Sequence, residues 1–139
     1  MIKIRLNENS SREEILKWIE IYLFEFLYNF SDKPWAQPYL DKAAKNAARE
    51  ESFYFLYNLS DKPWAQPYID EAAKIAIEKD SIDFLSDFSD EPWAQPYIDD
   101  AVSEAVKENP KLFLEEFADR FPQGINWALF ALGSENVYK

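Results

Sequence analysis

The 139-residue chain has no cysteine, no histidine and only two glycines. Without Cys or His there is no thiol nucleophile, disulfide framework, Cys/His zinc site or imidazole general base. So few glycines leave no Gly-rich phosphate loop, and no Asp-x-Asp-x-Asp-Gly calcium loop occurs. Basic residues are scarce too: 15 against 26 acidic ones, a net charge of −11. That balance argues against direct binding to a phosphate backbone, which needs clustered Lys and Arg. Long apolar runs are missing. The most apolar stretch, Ile15 to Phe30, is interrupted by Lys17, Glu20 and Glu25, so it does not read as a membrane span. Residues Met1 to Leu6 alternate apolar and basic and lack the apolar segment of a secretion signal. These absences predict a soluble, cytoplasmic protein with no cofactor, no metal, no membrane partner and no enzyme activity.

Aromatic residues are plentiful. The 24 Phe, Tyr and Trp rule out a collagen-like or low-complexity chain, and the length fits a single domain over 1–139. A tandem repeat dominates the pattern. Ser31-Asp32-Lys33-Pro34-Trp35-Ala36-Gln37-Pro38-Tyr39 recurs at Ser60 to Tyr68 and, with Glu91 for Lys, at Ser89 to Tyr97. The period is 29 residues, and a Phe-Leu pair keeps that step four times, at 26, 55, 84 and 113. Blocks 26–54 and 55–83 share 19 of 29 positions, and blocks 55–83 and 84–112 share 14. Tandem duplication is the only reading of that agreement.

Each block reads as two helices. The longer follows Ser-Asp, which is N-cap chemistry, with Pro in the first turn. It carries Tyr39, Leu40, Ala43, Ala44, Ala47 and Ala48 and their counterparts at a helical spacing. The second proline (Pro38, Pro67, Pro96) requires a kink or a separate short first turn. The shorter helix carries Leu23, Phe26, Leu27 and Phe30 on one face. Its best start signal is Asn109-Pro110, with Asp80-Ser81 and Glu51-Ser52 in the same place. Two such helices cannot bury their faces alone, so neighbouring units must stack, and the ends should differ. They do: Ser11 to Glu14 offers a capping box near the start. Near the end Phe121-Pro122-Gln123-Gly124 replaces the motif, and Gly133 is a plausible helix stop.

The expected fold is therefore all-α: a right-handed alpha-solenoid of three repeats (26–54, 55–83, 84–112) between caps at 1–25 and 113–139. In length, helical pairing and proline-led start, the unit resembles short HEAT-like repeats of the alpha-solenoid group, although it lacks that group's usual inter-helix glycine. The resemblance implies a binding or scaffolding role, because such solenoids usually bind proteins or nucleic acids.

Within the repeat, Trp35, Trp64 and Trp93 are either packing wedges or a ligand platform, and Tyr39, Tyr68 and Tyr97 share their face. The alanine pairs read as close helix contacts. Gln37, Gln66 and Gln95 should point away from the Trp face, which makes them candidates for a shared binding role or relics of duplication. Non-core positions of the short helices change along the chain: Tyr28-Asn29, Tyr57-Asn58, Ser86-Asp87, Glu115-Glu116. Phe24, Phe53 and Tyr54 add to the aromatic half. Exposed Tyr and Asn suit protein recognition, so Tyr28, Asn29, Tyr57, Asn58 and Asp87 complete the candidate site. Charge runs the same way, at 0 for 26–54, −3 for 55–83 and −5 for 84–112.

Three functions fit. The first is a non-enzymatic, monomeric module that binds another protein. The second is an acidic inhibitor that mimics nucleic acid and blocks a basic protein. The third is a structural repeat protein without a dedicated ligand.

Overall fold

A computed structural model describes residues 6–137. The first five residues of segment 1–25 and the last two of 113–139 lie outside the described residues, including most of the Met1 to Leu6 alternation. The described residues form eight α-helices and four short 3-10 helices, with no strand. They divide into two compact units, Met1–Ile69 and Asp70–Lys139.

The first unit holds α1 (Arg12–Ile21), α2 (Leu23–Phe30), α3 (Gln37–Glu50), α4 (Ser52–Leu59) and the first turn of α5 (Gln66–Phe88). Packing follows chain order, with α1 on α2, α2 on α3 and α3 on α4. The α1 start is the expected capping box. Ser11 Oγ accepts from the Glu14 amide at 3.1 Å, and Glu14 Oε1 accepts from the Ser11 amide at 3.4 Å. The core comes from the expected positions: Phe26, Leu27, Phe55 and the alanines 43, 44, 47 and 48 are fully buried. Each fully buried phenylalanine contributes about 2–3 kcal/mol. The alanines offer no side chain beyond Cβ, which lets α3 come close to α2 and α4, the short helices packed against it.

The second unit holds the rest of α5, α6 (Ile98–Glu108), α7 (Pro110–Glu116) and α8 (Ile125–Val137), with α8 packed on both α6 and α7. Helix α5 is broken at Asp80, where φ is −162° and ψ is 89°. Asn109 adopts nearly the same angles, −156° and 85°, between α6 and α7. Both cap the short helix that follows: Asp80 Oδ1 accepts from the Asp83 amide at 3.0 Å and Asn109 Oδ1 from the Leu112 amide at 3.1 Å. Glu51, in the matching place between α3 and α4, makes no such bond. Ser81, buried just after the break, donates to Glu108 Oε2 at 2.8 Å.

The repeated motif folds the same way each time. Pro34–Ala36, Pro63–Ala65 and Pro92–Tyr97 are 3-10 turns, and in the first two copies the α-helix starts at the Gln that follows. The second proline therefore sits in the first turn of α3 and α5, where its missing N–H costs no hydrogen bond, and a separate short turn replaces the kink. In the third copy Pro96 lies inside a longer 3-10 segment.

Two local expectations are corrected. Ser31-Asp32 and its counterparts do not cap: the N-cap residues are Lys33, Lys62 and Glu91, extended at ψ near 130°, and none makes a side-chain cap bond. Gly133 does not stop a helix, because α8 runs through it and no glycine has a positive φ. Gly124 is the glycine that matters. A Cβ there would lie 2.7 Å from Phe113 Cε1 and from Val102 Cγ1.

The indoles are half-buried and pack on the phenylalanines of the short helix just before them. Trp35 lies 5.1 Å from Phe30, Trp64 6.4 Å from Phe55, and Trp93 5.3 Å from Phe88, between ring centroids. A second recurring device involves the motif tyrosine. Tyr68 donates to Asp41 Oδ1 at 2.8 Å, and Lys45 pairs with the same carboxylate at 3.1 Å. In the second unit Tyr97 donates to Asp70 at 3.1 Å, with Lys74 at 3.0 Å. The third aspartate in this register, Asp99, accepts from Gln123 Nε2 at 3.2 Å. The Tyr68 bond and Lys45 hold the Asp41 carboxyl below the usual carboxylate range. Burial and that carboxylate push the Tyr68 phenol up to about 12.

Candidate binding surface on the short helices

Burial of Phe26, Leu27 and Phe30 along one face of α2 leaves Tyr28 and Asn29 outward, and α4 presents Tyr57 and Asn58 in the same way. Tyr28, Tyr54 and Tyr57 are 46%, 46% and 54% exposed, high values for rings of this size. The two helices are joined at this edge. Phe24 meets Tyr54 edge-on, with centroids 4.4 Å apart. The Tyr28 phenol is pushed up to about 12, first by partial burial, then by its hydrogen bond to Tyr54 and by the charges of Tyr54 and Glu25.

The asparagines are partly committed to the backbone. Asn29 Nδ2 donates to the Glu25 carbonyl at 2.8 Å and Asn58 Nδ2 to the Tyr54 carbonyl at 2.9 Å. Each bond fixes the amide one turn back along its own helix.

A shallow groove of about 410 Å³ lies beside α2. Tyr28 and Asn29 line it together with Asp32, Lys33, Lys62 and Trp64. Tyr57 and Asn58 do not line it, and Asp87 is exposed on α5 in the second unit. The structure thus brings Tyr28 and Asn29 to one groove and leaves the other candidates outside it. Lys33 and Lys62 were not singled out by the sequence. Their signal was available: they are the motif residues that Glu91 replaces in the third copy.

The three glutamines serve their own turns. Gln37 Nε2 donates to the carbonyls of Ser31 and Lys33 at 2.9 and 3.0 Å, Gln66 to Ser60 and Lys62 at the same distances, and Gln95 to Ser89 and Glu91 likewise. Both amide hydrogens are used, so each Gln closes the loop that leads into the 3-10 turn. This accounts for its retention at every copy without a ligand.

The third copy gathers carboxylates. Burial, then Asp80, Asp87 and Glu108, raise the Asp83 carboxyl above its usual range. Among the described residues no group of three or more His, Cys, Asp or Glu is placed to hold a metal ion, and no helix is long and apolar enough to cross a membrane. No protein-family model, curated protein or solved structure matches the chain.

Proposed function

We propose that the chain is a non-enzymatic protein-binding module that recognises its partner through the exposed edge of α2 and α4. The observation that supports this most is the trio of half-exposed tyrosines, Tyr28, Tyr54 and Tyr57, on two short helices that meet through Phe24 and Tyr54. Tyrosine gives large contact area at low entropic cost, and such rings anchor protein interfaces. The groove beside Tyr28, with Lys33 and Lys62 on its wall, adds a place for an acidic or carbonyl-rich segment of the partner. In this reading the 29-residue units 26–54, 55–83 and 84–112 stack as a HEAT-like, right-handed solenoid between the two end segments. The matching 3-10 turns and matching helix breaks favour it. The protein acts as a cytoplasmic monomer.

The test compares wild type with a Tyr28→Ala, Asn29→Ala, Tyr57→Ala, Asn58→Ala variant as baits in a lysate of the source cells, at low and high salt. Circular dichroism verifies the variant's fold. A partner retained by wild type and lost by the folded variant supports the assignment. Equal recovery by both removes this edge from consideration. Recovery that collapses with salt but ignores the four substitutions would favour the acidic, nucleic-acid-mimicking reading instead.

A further inference from the structure

In the register of the motif tyrosines, each repeated aspartate has a donor: Asp41 has Tyr68, Asp70 has Tyr97 and Asp99 has Gln123. One step of 29 residues before Asp41 the chain carries Arg12. In the register of Tyr39, the first motif tyrosine, the sequence therefore has a cation where its successors have a carboxylate, and Arg12 and Tyr39 line the same groove. Its hydroxyl has no hydrogen-bond partner among the described residues, and neither Arg12 nor Lys42 has an ion-pair partner there. All three line one groove of about 380 Å³ on α1 and α3, in the first unit. The floor is apolar, made by Leu16, Ile19 and Leu23.

Three donors without a protein partner among the described residues, the exposed Arg12 and Lys42 and the partly exposed Tyr39, beside an apolar floor are a recognition set for an acceptor carried on an apolar body. We propose that this groove binds a small monocarboxylate with an aliphatic or aryl body, whose carboxylate takes the place that Asp41 and Asp70 fill in the later registers. The cations and the tyrosine hydroxyl hold the carboxylate, and the leucines and Ile19 cover the body. Glu20 and Glu50 also line the groove, so a second anionic group on the ligand is repelled. The volume suits a small molecule, since such sites span about 300–1,000 Å³. This site is separate from the α2/α4 edge and does not depend on its role.

The probe is octanoate, titrated into the full chain by calorimetry, with methyl and aromatic NMR shifts locating the site. The expected result is saturable binding with a Kd of about 1 mM or tighter, and shifts at Leu16 and Tyr39. Octanamide and octylammonium, which keep the chain and lose the negative charge, should bind at least about tenfold more weakly, and so should the eight-carbon dicarboxylate. Arg12→Asp restores the acceptor of the later registers, so it should abolish octanoate binding while raising the melting temperature. Lys42→Gln, at an exposed position, should weaken binding without changing stability.

Octanamide binding as tightly as octanoate would overturn the carboxylate assignment. So would undiminished binding to Arg12→Asp, or no saturation. A blocked apolar peptide with a free C-terminus that binds about tenfold tighter than octanoate would assign the groove to chain termini and overturn the small-acid reading.

Discussion

Replacing Gly124 by alanine sets two effects of opposite sign against each other. Locally the change is favourable. Gly124 has no positive φ, and alanine lowers the entropy of the unfolded chain, which stabilises by about 0.4–1 kcal/mol at a compatible site. Sterically it is not. The new Cβ would stand 2.7 Å from Phe113 Cε1 and Val102 Cγ1, and Phe113 and Val102 are both fully buried, so neither can swing into solvent. Overpacking of a filled core costs about 1–3 kcal/mol. The contact should win, with a net destabilisation of about 1–2 kcal/mol. At about 4 °C per kcal/mol for a chain of this size, the melting temperature falls by roughly 4–8 °C. Gly133→Ala is the matched control. Its Cβ would meet nothing within 4 Å, and it lies inside α8, so it should stabilise by about 0.5–1 kcal/mol. Urea denaturation followed by circular dichroism reads both. If Gly124→Ala is as stable as wild type, the packing of Phe113 and Val102 against this turn is not as tight as argued, and the steric reasoning fails.

Three further outcomes follow from the same contacts. Gln66→Ala removes the two bonds that close the loop before α5, so it should lower stability by about 1 kcal/mol in urea titrations and leave the CD spectrum unchanged. Trp64→Ala should cost about 2–3 kcal/mol, at or below the low end for a fully buried Trp, because the indole packs on Phe55 but keeps part of its surface exposed; a loss near zero would contradict this. Tyr68→Phe should flatten the pH dependence of stability at both ends. Asp41 is lowered in the fold, so its contribution is present above its ordinary value and is lost as pH falls through the lowered one. Tyr68 is raised from 10.0 to about 12, so its contribution is present below pH 10 and is lost as pH climbs toward 12. Melting temperatures across acid and alkaline pH, for wild type and variant, check both slopes.

Much of the helical content was legible because it rests on local chemistry. The Ser11 capping box, the Asn109 cap and the Phe-Leu pairs are each fixed by a few neighbouring residues, and a 29-residue repetition multiplies the signal. The Ser-Asp caps were misread because the next residue, Lys33, is held extended by the proline that follows, which moves the helix start beyond them. Gly133 was misread for a related reason: glycine ends a helix only where the backbone turns left-handed, and here it does not.

Sequence alone determined that the chain is helical, which faces are apolar, that a unit recurs every 29 residues and that thiol and imidazole chemistry are impossible. These follow from composition and spacing, which act over a turn or two of helix. Tertiary structure decided what those residues touch. It directed the glutamines onto their own loops, gave Asp41 and Asp70 to the tyrosines 27 residues further on, and gathered Arg12, Tyr39 and Lys42 at one groove. The tyrosine–aspartate bonds and the groove depend on how neighbouring helices approach, which close packing of their side chains sets, whereas the glutamine bonds reach back only four and six residues and depend on the backbone path of each loop.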